Sequence, residues 1–193
     1  MTAEKRKVVL ITDGDRVAKK AVEQVARKIG GRCVSLSAGN PTPITGEKIV
    51  ELIMQAPRDP VLVMLDDRGK RYKGPGERAL EYIARHPGIE VLGVVAVASN
   101  TDRIQGTEVE ESITKDGQAV HGAVDKYGNP KLGNTSLLGD TVDVLNDLHI
   151  PIVIGTGDTG KMDGKDSLRK GVPITTRAVE EILLRSGFKY GHH

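Results

Sequence analysis

The chain has 193 residues, 28% of them charged, and a net charge of +2 at neutral pH; it is long enough for one domain with a sizeable core, and as a whole it has no strong pull towards nucleic acid. Trp is absent, Phe occurs once and Tyr four times, so rings for stacking bases are few. A single cysteine, Cys33, excludes an internal disulfide and suits a reducing compartment.

The first apolar run, VVLIT (8–12), follows Glu4-Lys5-Arg6-Lys7 and is too short for a secretory signal. It is continuous rather than alternating, as are VLVML (61–65), VLGVVAVA (91–98) and PIVIG (151–155), and continuous runs suit strands buried on both faces of a parallel sheet. After the first of them, Val17, Ala21, Val22, Val25 and Ile29 make one apolar stripe of a helix over 16–29, with Asp15 placed to cap its start and Gly30-Gly31 its end. RCVSLS (32–37) is a weaker strand, and Ile49, Leu52 and Ile53 mark a second helix after Thr45. Pro75 opens a third, carrying Ala79, Leu80 and Ile83. Beyond the fourth strand the polar, weakly alternating stretch 107–132 contains two turn signals, Lys115-Asp116-Gly117 and Tyr127-Gly128-Asn129-Pro130, and predicts an inserted antiparallel β-hairpin. Val142, Leu145 and Leu148 predict a fourth helix, and Ala178, Val179, Ile182 and Leu183 a last one ending near Gly187.

Strand and helix alternate over short connections. The fold class expected is α/β: a Rossmann-like, three-layer single domain over 5–190, with a mainly parallel sheet and disordered termini at 1–4 and 191–193. No apolar run approaches the roughly 20 residues that span a bilayer, so the chain reads as soluble and intracellular.

Ligands of an open α/β sheet bind outside the carboxyl ends of its strands. Here those ends carry Thr12-Asp13-Gly14-Asp15, Asp66-Asp67-Arg68-Gly69, Ser99-Asn100-Thr101-Asp102 and Gly155-Thr156-Gly157-Asp158. Converging hard oxygens are what Mg²⁺ or Ca²⁺ requires, which makes Asp13, Asp15, Asp66, Asp67 and Asp158 candidate metal ligands, Asp13 and Asp66 foremost. Loops and N-caps also favour aspartate, and Asp15 and Asp140 are accounted for by capping alone. The topology of 8–98 resembles the Toprim domain of topoisomerases, primases and small nucleases. That resemblance implies a Mg²⁺-dependent phosphoryl-transfer or nuclease enzyme using Asp13, Asp66 and Asp67. The Toprim pattern has a glutamate after the first strand and Asp-x-Asp after the third; Asp13 and Asp66-Asp67 match neither.

A second candidate follows Asp67. Arg68, Lys70 and Arg71, with Gly74 and Gly76 leading into a helix start, could hold a phosphate or a carboxylate as a small-anion sensor, or form a solvated basic loop. In GTGDTGKM, Gly155, Gly160 and Lys161 satisfy most of a P-loop, but Met162 replaces the Ser or Thr that ligates magnesium. The larger objection is mechanical: the next helix starts near Thr175 or Thr176, too late to aim amides at a phosphate bound by this loop. Cys33 reads as a small core residue, the histidines His86, His121 and His149 lack ligand spacing, and no G-x-S-x-G elbow is present.

Long stretches together resemble one family: KVVLITDGD, GGRCVSLSAGNPTPITGEKIVELI, DPVLVMLDDRG with GPGERAL, IEVLGVVAVASNT, and PIVIGTGDTGKMDGKD with GVPITTRAVEEILLRSG. They are similar to the soluble stage V sporulation protein AE family of spore-forming bacteria, over almost the whole chain and least in 103–135. The resemblance implies membership of the machinery that moves dipicolinic acid into the forespore and releases it in germination. It implies an accessory protein rather than an enzyme, peripheral to the spore inner membrane, whose partners are the other proteins of the dipicolinate channel. It carries over no catalytic residue.

Overall fold

The computed structural model describes residues 3–69, 72–101 and 105–189. Nine strands and four α-helices follow the chain as β1 (Arg6–Ile11), α1 (Arg16–Lys28), β2 (Arg32–Cys33), α2 (Gly46–Gln55), β3 (Val61–Met64), α3 (Pro75–Arg85), β4 (Ile89–Val97), β5 (Thr107–Glu108), β6 (Glu111–Ile113), β7 (Ala119–His121), β8 (Ser136–Leu137), β9 (Val153–Thr156) and α4 (Pro173–Arg185). Seven strands form one sheet in the order β2-β3-β1-β4-β9-β6-β7, and every pairing in it is parallel except β6 with β7.

The continuous apolar runs are buried on both faces, as their composition dictates. Val9, Ile11, Leu62, Met64, Val95 and Val97 face α1 and α4, while Val8, Leu10, Val61, Val63, Val94 and Ala96 face α2 and α3. Alternate residues of one strand thus feed two cores, and the architecture is a three-layer α/β fold with a mostly parallel sheet. α1 starts as the sequence requires, its Ala18 amide donating to the Asp15 carboxylate at 2.8 Å.

Three elements differ from expectation. The helix predicted around 142–148 is a short 3-10 segment, Asp143–Asp147, with Val144 and Leu145 buried; three apolar residues with no side-chain cap do not sustain a longer helix. The strand predicted over 32–37 ends at Cys33, because the Ser37 hydroxyl bonds the Val34 carbonyl at 2.7 Å and the chain closes into a 3-10 turn over Ser35–Ser37. The polar insertion holds its hairpin at β6–β7, but it does more than predicted. β6 pairs with β9 and so widens the main sheet, while β5 and β8 close a separate two-stranded antiparallel sheet. Of the termini expected to lack order, residues 1–2 and 191–193 lie outside the described residues.

Candidate functional site: an acidic crevice at the carboxyl ends of the strands

α1 leaves β1 towards one face of the sheet, and α3 follows the neighbouring β3 on the other. The chain therefore departs in opposite directions from adjacent strand ends, which opens the crevice where doubly wound folds bind ligands. Asp13 lines it from β1 and Asp66 from β3. They stand close enough that a side chain on Gly14 would meet the Asp66 Cβ at 3.2 Å. From the β9 side comes Thr159, whose amide donates to Asp13 at 3.3 Å. The same carboxylate also accepts the Gly14 amide at 2.8 Å.

The electrostatics of the crevice are those of crowded carboxylates. Burial, then the negative charges of Asp15, Asp66 and Asp158, push Asp13 up to about 7, against a smaller opposing pull from Lys161. Asp66 is pushed up to about 6, mainly by burial and then by Asp140 and Asp67, although the Arg68 amide stabilises its charge. Burial also raises Asp158, whereas Lys161 and Lys126 oppose it. Asp15 behaves oppositely. Burial raises it, but the Ala18 amide and the Lys161 ammonium outweigh burial and hold it below the usual carboxylate range; Lys161 and Asp15 pair at 2.5 Å.

Several buried oxygens at this edge have no hydrogen-bond partner among the described residues: Ser99 Oγ, Asp140 Oδ1, Thr141 Oγ1, Thr156 Oγ1 and Thr159 Oγ1. Thr156 ends β9, Ser99 follows β4, and 138–141 folds over that same end of β4, where the Ser99 amide donates to the Leu138 carbonyl at 3.0 Å. Buried polar atoms are rarely left unpaired. Ser99 and Thr156 were legible as strand-end residues and Asp140 as a capping aspartate, whereas Thr141 and Thr159 reach this edge only because chain segments far apart meet there.

The candidate metal ligands are divided by the fold. Asp67 lies fully buried with both oxygens committed, accepting the Gly76 amide at 2.7 Å and the Glu77 amide at 3.0 Å. It caps α3. Asp15 caps α1 and pairs with Lys161, leaving Asp13, Asp66 and Asp158 at the crevice. Among the described residues no group of three or more His, Cys, Asp or Glu is placed to hold a metal ion.

The same contacts bear on the anion-site residues. The α3 amides that an outside anion would need are occupied by Asp67, and Gly74 and Gly76 serve that cap. A Cβ on Gly74 would fall 2.2 Å from Asp67 Oδ1, and one on Gly76 within 2.6 to 2.8 Å of the Asp66 backbone. Arg68 is exposed, at a left-handed φ of 54°; Lys70 and Arg71 lie outside the described residues.

GTGDTGKM resolves in the same way. A Cβ on Gly155 would lie 2.2 Å from the Ser112 hydroxyl of β6, and one on Gly157 would lie 2.6 Å from both the Gly128 amide and the Lys126 carbonyl. These glycines let the insertion pack against β9. The loop beyond is organised by Asp166, which sequence reasoning missed. Fully buried, it accepts the amides of Gly160 at 2.8 Å, Ile174 at 2.7 Å and Thr175 at 3.0 Å, and the Thr175 hydroxyl at 2.6 Å. α4 begins at Pro173, so its first free amides receive the chain's own carboxylate instead of a phosphate. The one available signal was Asp166 standing shortly before a Pro-initiated helix. Cys33 is only partly buried as a residue, but its thiol is pushed up to about 12, chiefly by burial, which leaves it unreactive.

Fold and crevice together define a doubly wound α/β protein whose ligand edge is lined by carboxylates and hydroxyls. The chain belongs to the stage V sporulation protein AE family: the family model described as Stage V sporulation protein AE1 matches residues 7–186. The match spans every helix and all but the first residue of the sheet, and it places the protein in sporulation. Comparison with curated proteins and with solved structures finds no match.

Proposed function

We propose that the protein is a peripheral accessory component of the spore dipicolinic acid channel machinery, acting in sporulation and germination through contacts with the channel's other proteins at the inner membrane. The observation that carries this reading is the family match over 7–186. Beside it, no helix among the described residues is long and apolar enough to cross a membrane. A chain of this kind influences transport by binding, and its inserted strands supply a surface for that. Polar backbone is exposed at the outer strand β7, where Ala119 and His121 face solvent. The test is made in spores. Deleting the gene lowers dipicolinate content or slows its release in germination, and the intact gene restores both. Normal content and normal release in the deletion strain would defeat the reading.

A further inference from the structure

The charge of this protein is nearly balanced overall, 28 basic against 26 acidic residues, but it is not evenly spread. α1 carries Arg16, Lys19, Lys20, Arg27 and Lys28 against the single carboxylate Glu23. Arg16, Lys20 and Arg27 recur at helical spacing and are exposed, which makes a basic stripe about 16 Å long. Beside it lies the 3-10 turn Leu168–Lys170, tied to the helix by a hydrogen bond from Lys28 Nζ to the Gly171 carbonyl, and it exposes Arg169 and Lys170.

Helix stability accounts for only part of this pattern: Arg27 and Lys28 lie in the last turn of α1, where the dipole favours cations. The first turn of α1 contains no acidic residue and begins with Arg16, at the end where the helix dipole favours anions. Nor do internal ion pairs account for it. Lys7, Lys48, Lys73, Arg85 and Arg185 each meet a carboxylate. Among the described residues Arg16, Lys20, Arg27, Lys28, Arg169 and Lys170 form no salt bridge. Two partly exposed apolar side chains, Val17 and Leu168, each 36% accessible, sit among these cations.

We infer that the α1 and 168–170 face docks on an anionic phospholipid bilayer, the cations meeting headgroup phosphates and Val17 and Leu168 reaching the interfacial layer. Cations on a broad face with interspersed apolar groups complement a negatively charged membrane surface, and such binding is electrostatic and salt-sensitive. The inference is independent of the channel reading: it is measured on purified protein and vesicles, whereas channel membership is measured in spores.

The experiment is co-sedimentation with vesicles of phosphatidylcholine alone and of phosphatidylcholine mixed with phosphatidylglycerol. The intact protein binds the mixed vesicles, ignores the neutral ones and is released by high salt. Arg16→Gln, Lys20→Gln and Arg27→Gln together lower partitioning about a hundredfold, at about fivefold per cation. Lys48→Gln, Arg78→Gln and Arg85→Gln remove the same charge from α2 and α3 on the opposite face and leave binding intact. Indifference to phosphatidylglycerol overturns the inference, as does equal weakening by the two triple variants. Tighter binding to duplex DNA than to mixed vesicles at equal ionic strength also overturns it, assigning the face to another polyanion.

Discussion

Asp13 is the residue whose ionisation is set most firmly by its surroundings. In an unfolded chain an aspartate titrates near about 3.9, whereas in the crevice Asp13 holds its proton up to about 7. The folded state therefore binds the extra proton, and stability falls as pH rises through the interval between those two values. Asp66, raised to about 6, adds to the same slope. Asp15 opposes it, because its lowered pKa favours the fold above the unfolded value, though its partly exposed pair with Lys161 contributes little. Asp13→Asn is expected to flatten the slope, at a cost in stability, because its amide group turns a donor towards the Gly14 or the Thr159 amide. Urea midpoints at pH 5 and pH 8 check this; a parent protein that gains stability over that range would contradict the assignment. Asp166 is raised as well, by burial against the pull of its own hydrogen bonds, and so adds to the same slope. Its four bonds to the 155–166 loop and α4 are buried, so Asp166→Ala costs about 3 kcal/mol or more. Asp166→Asn recovers little, because its amide group turns a donor towards donors. Lys161→Ala, by contrast, shifts stability by about 1 kcal/mol or less. Denaturant unfolding of the three variants separates a structural loop from a phosphate loop, in which the lysine would matter most.

At the scale of elements, three helix starts are closed by the chain's own carboxylates: α1 by Asp15, α3 by Asp67 and α4 by Asp166. The amides at the starts of α3 and α4 are thus taken by the chain's own carboxylates. This also predicts where the fold tolerates no change. Gly76→Ala places a methyl against the Asp66 backbone, which has no room to yield, and is expected to cost about 3 kcal/mol through overpacking and disturbance of the Asp67 cap. Thermal unfolding measures it, and a near-wild-type midpoint would show that the cap is dispensable. The strands were legible because VVLIT, VLVML and VLGVVAVA are apolar without interruption, and only strands covered on both faces need that. Asp13 and Asp66 were legible as neighbours because each follows directly on a central strand. The 142–148 segment misled because three apolar residues at helical spacing fit a single 3-10 turn equally well. Asp67 and Asp166 were misjudged or missed for a common reason. Their partners lie six to ten residues away across loops, at a distance where composition no longer says which amide a carboxylate will meet.

The molecule as a whole has three distinct regions: an acidic crevice at the strand ends, a basic face on α1 and the adjoining turn, and an inserted hairpin that widens the sheet. None of these is visible in the net charge of +2, which averages opposite surfaces to nearly nothing. The family match over 7–186 places the protein in sporulation, and the proposal is that it acts there by binding at a membrane assembly. The central claim is therefore one of association, and affinity purification tests it most directly. A tagged copy of the protein is captured from gently solubilised spore inner membranes at low salt and again at moderate salt. The account predicts that other proteins of the dipicolinate channel are recovered at low salt and persist at moderate salt. Their absence at both salt concentrations, with the tagged protein itself fully recovered and folded, would contradict it.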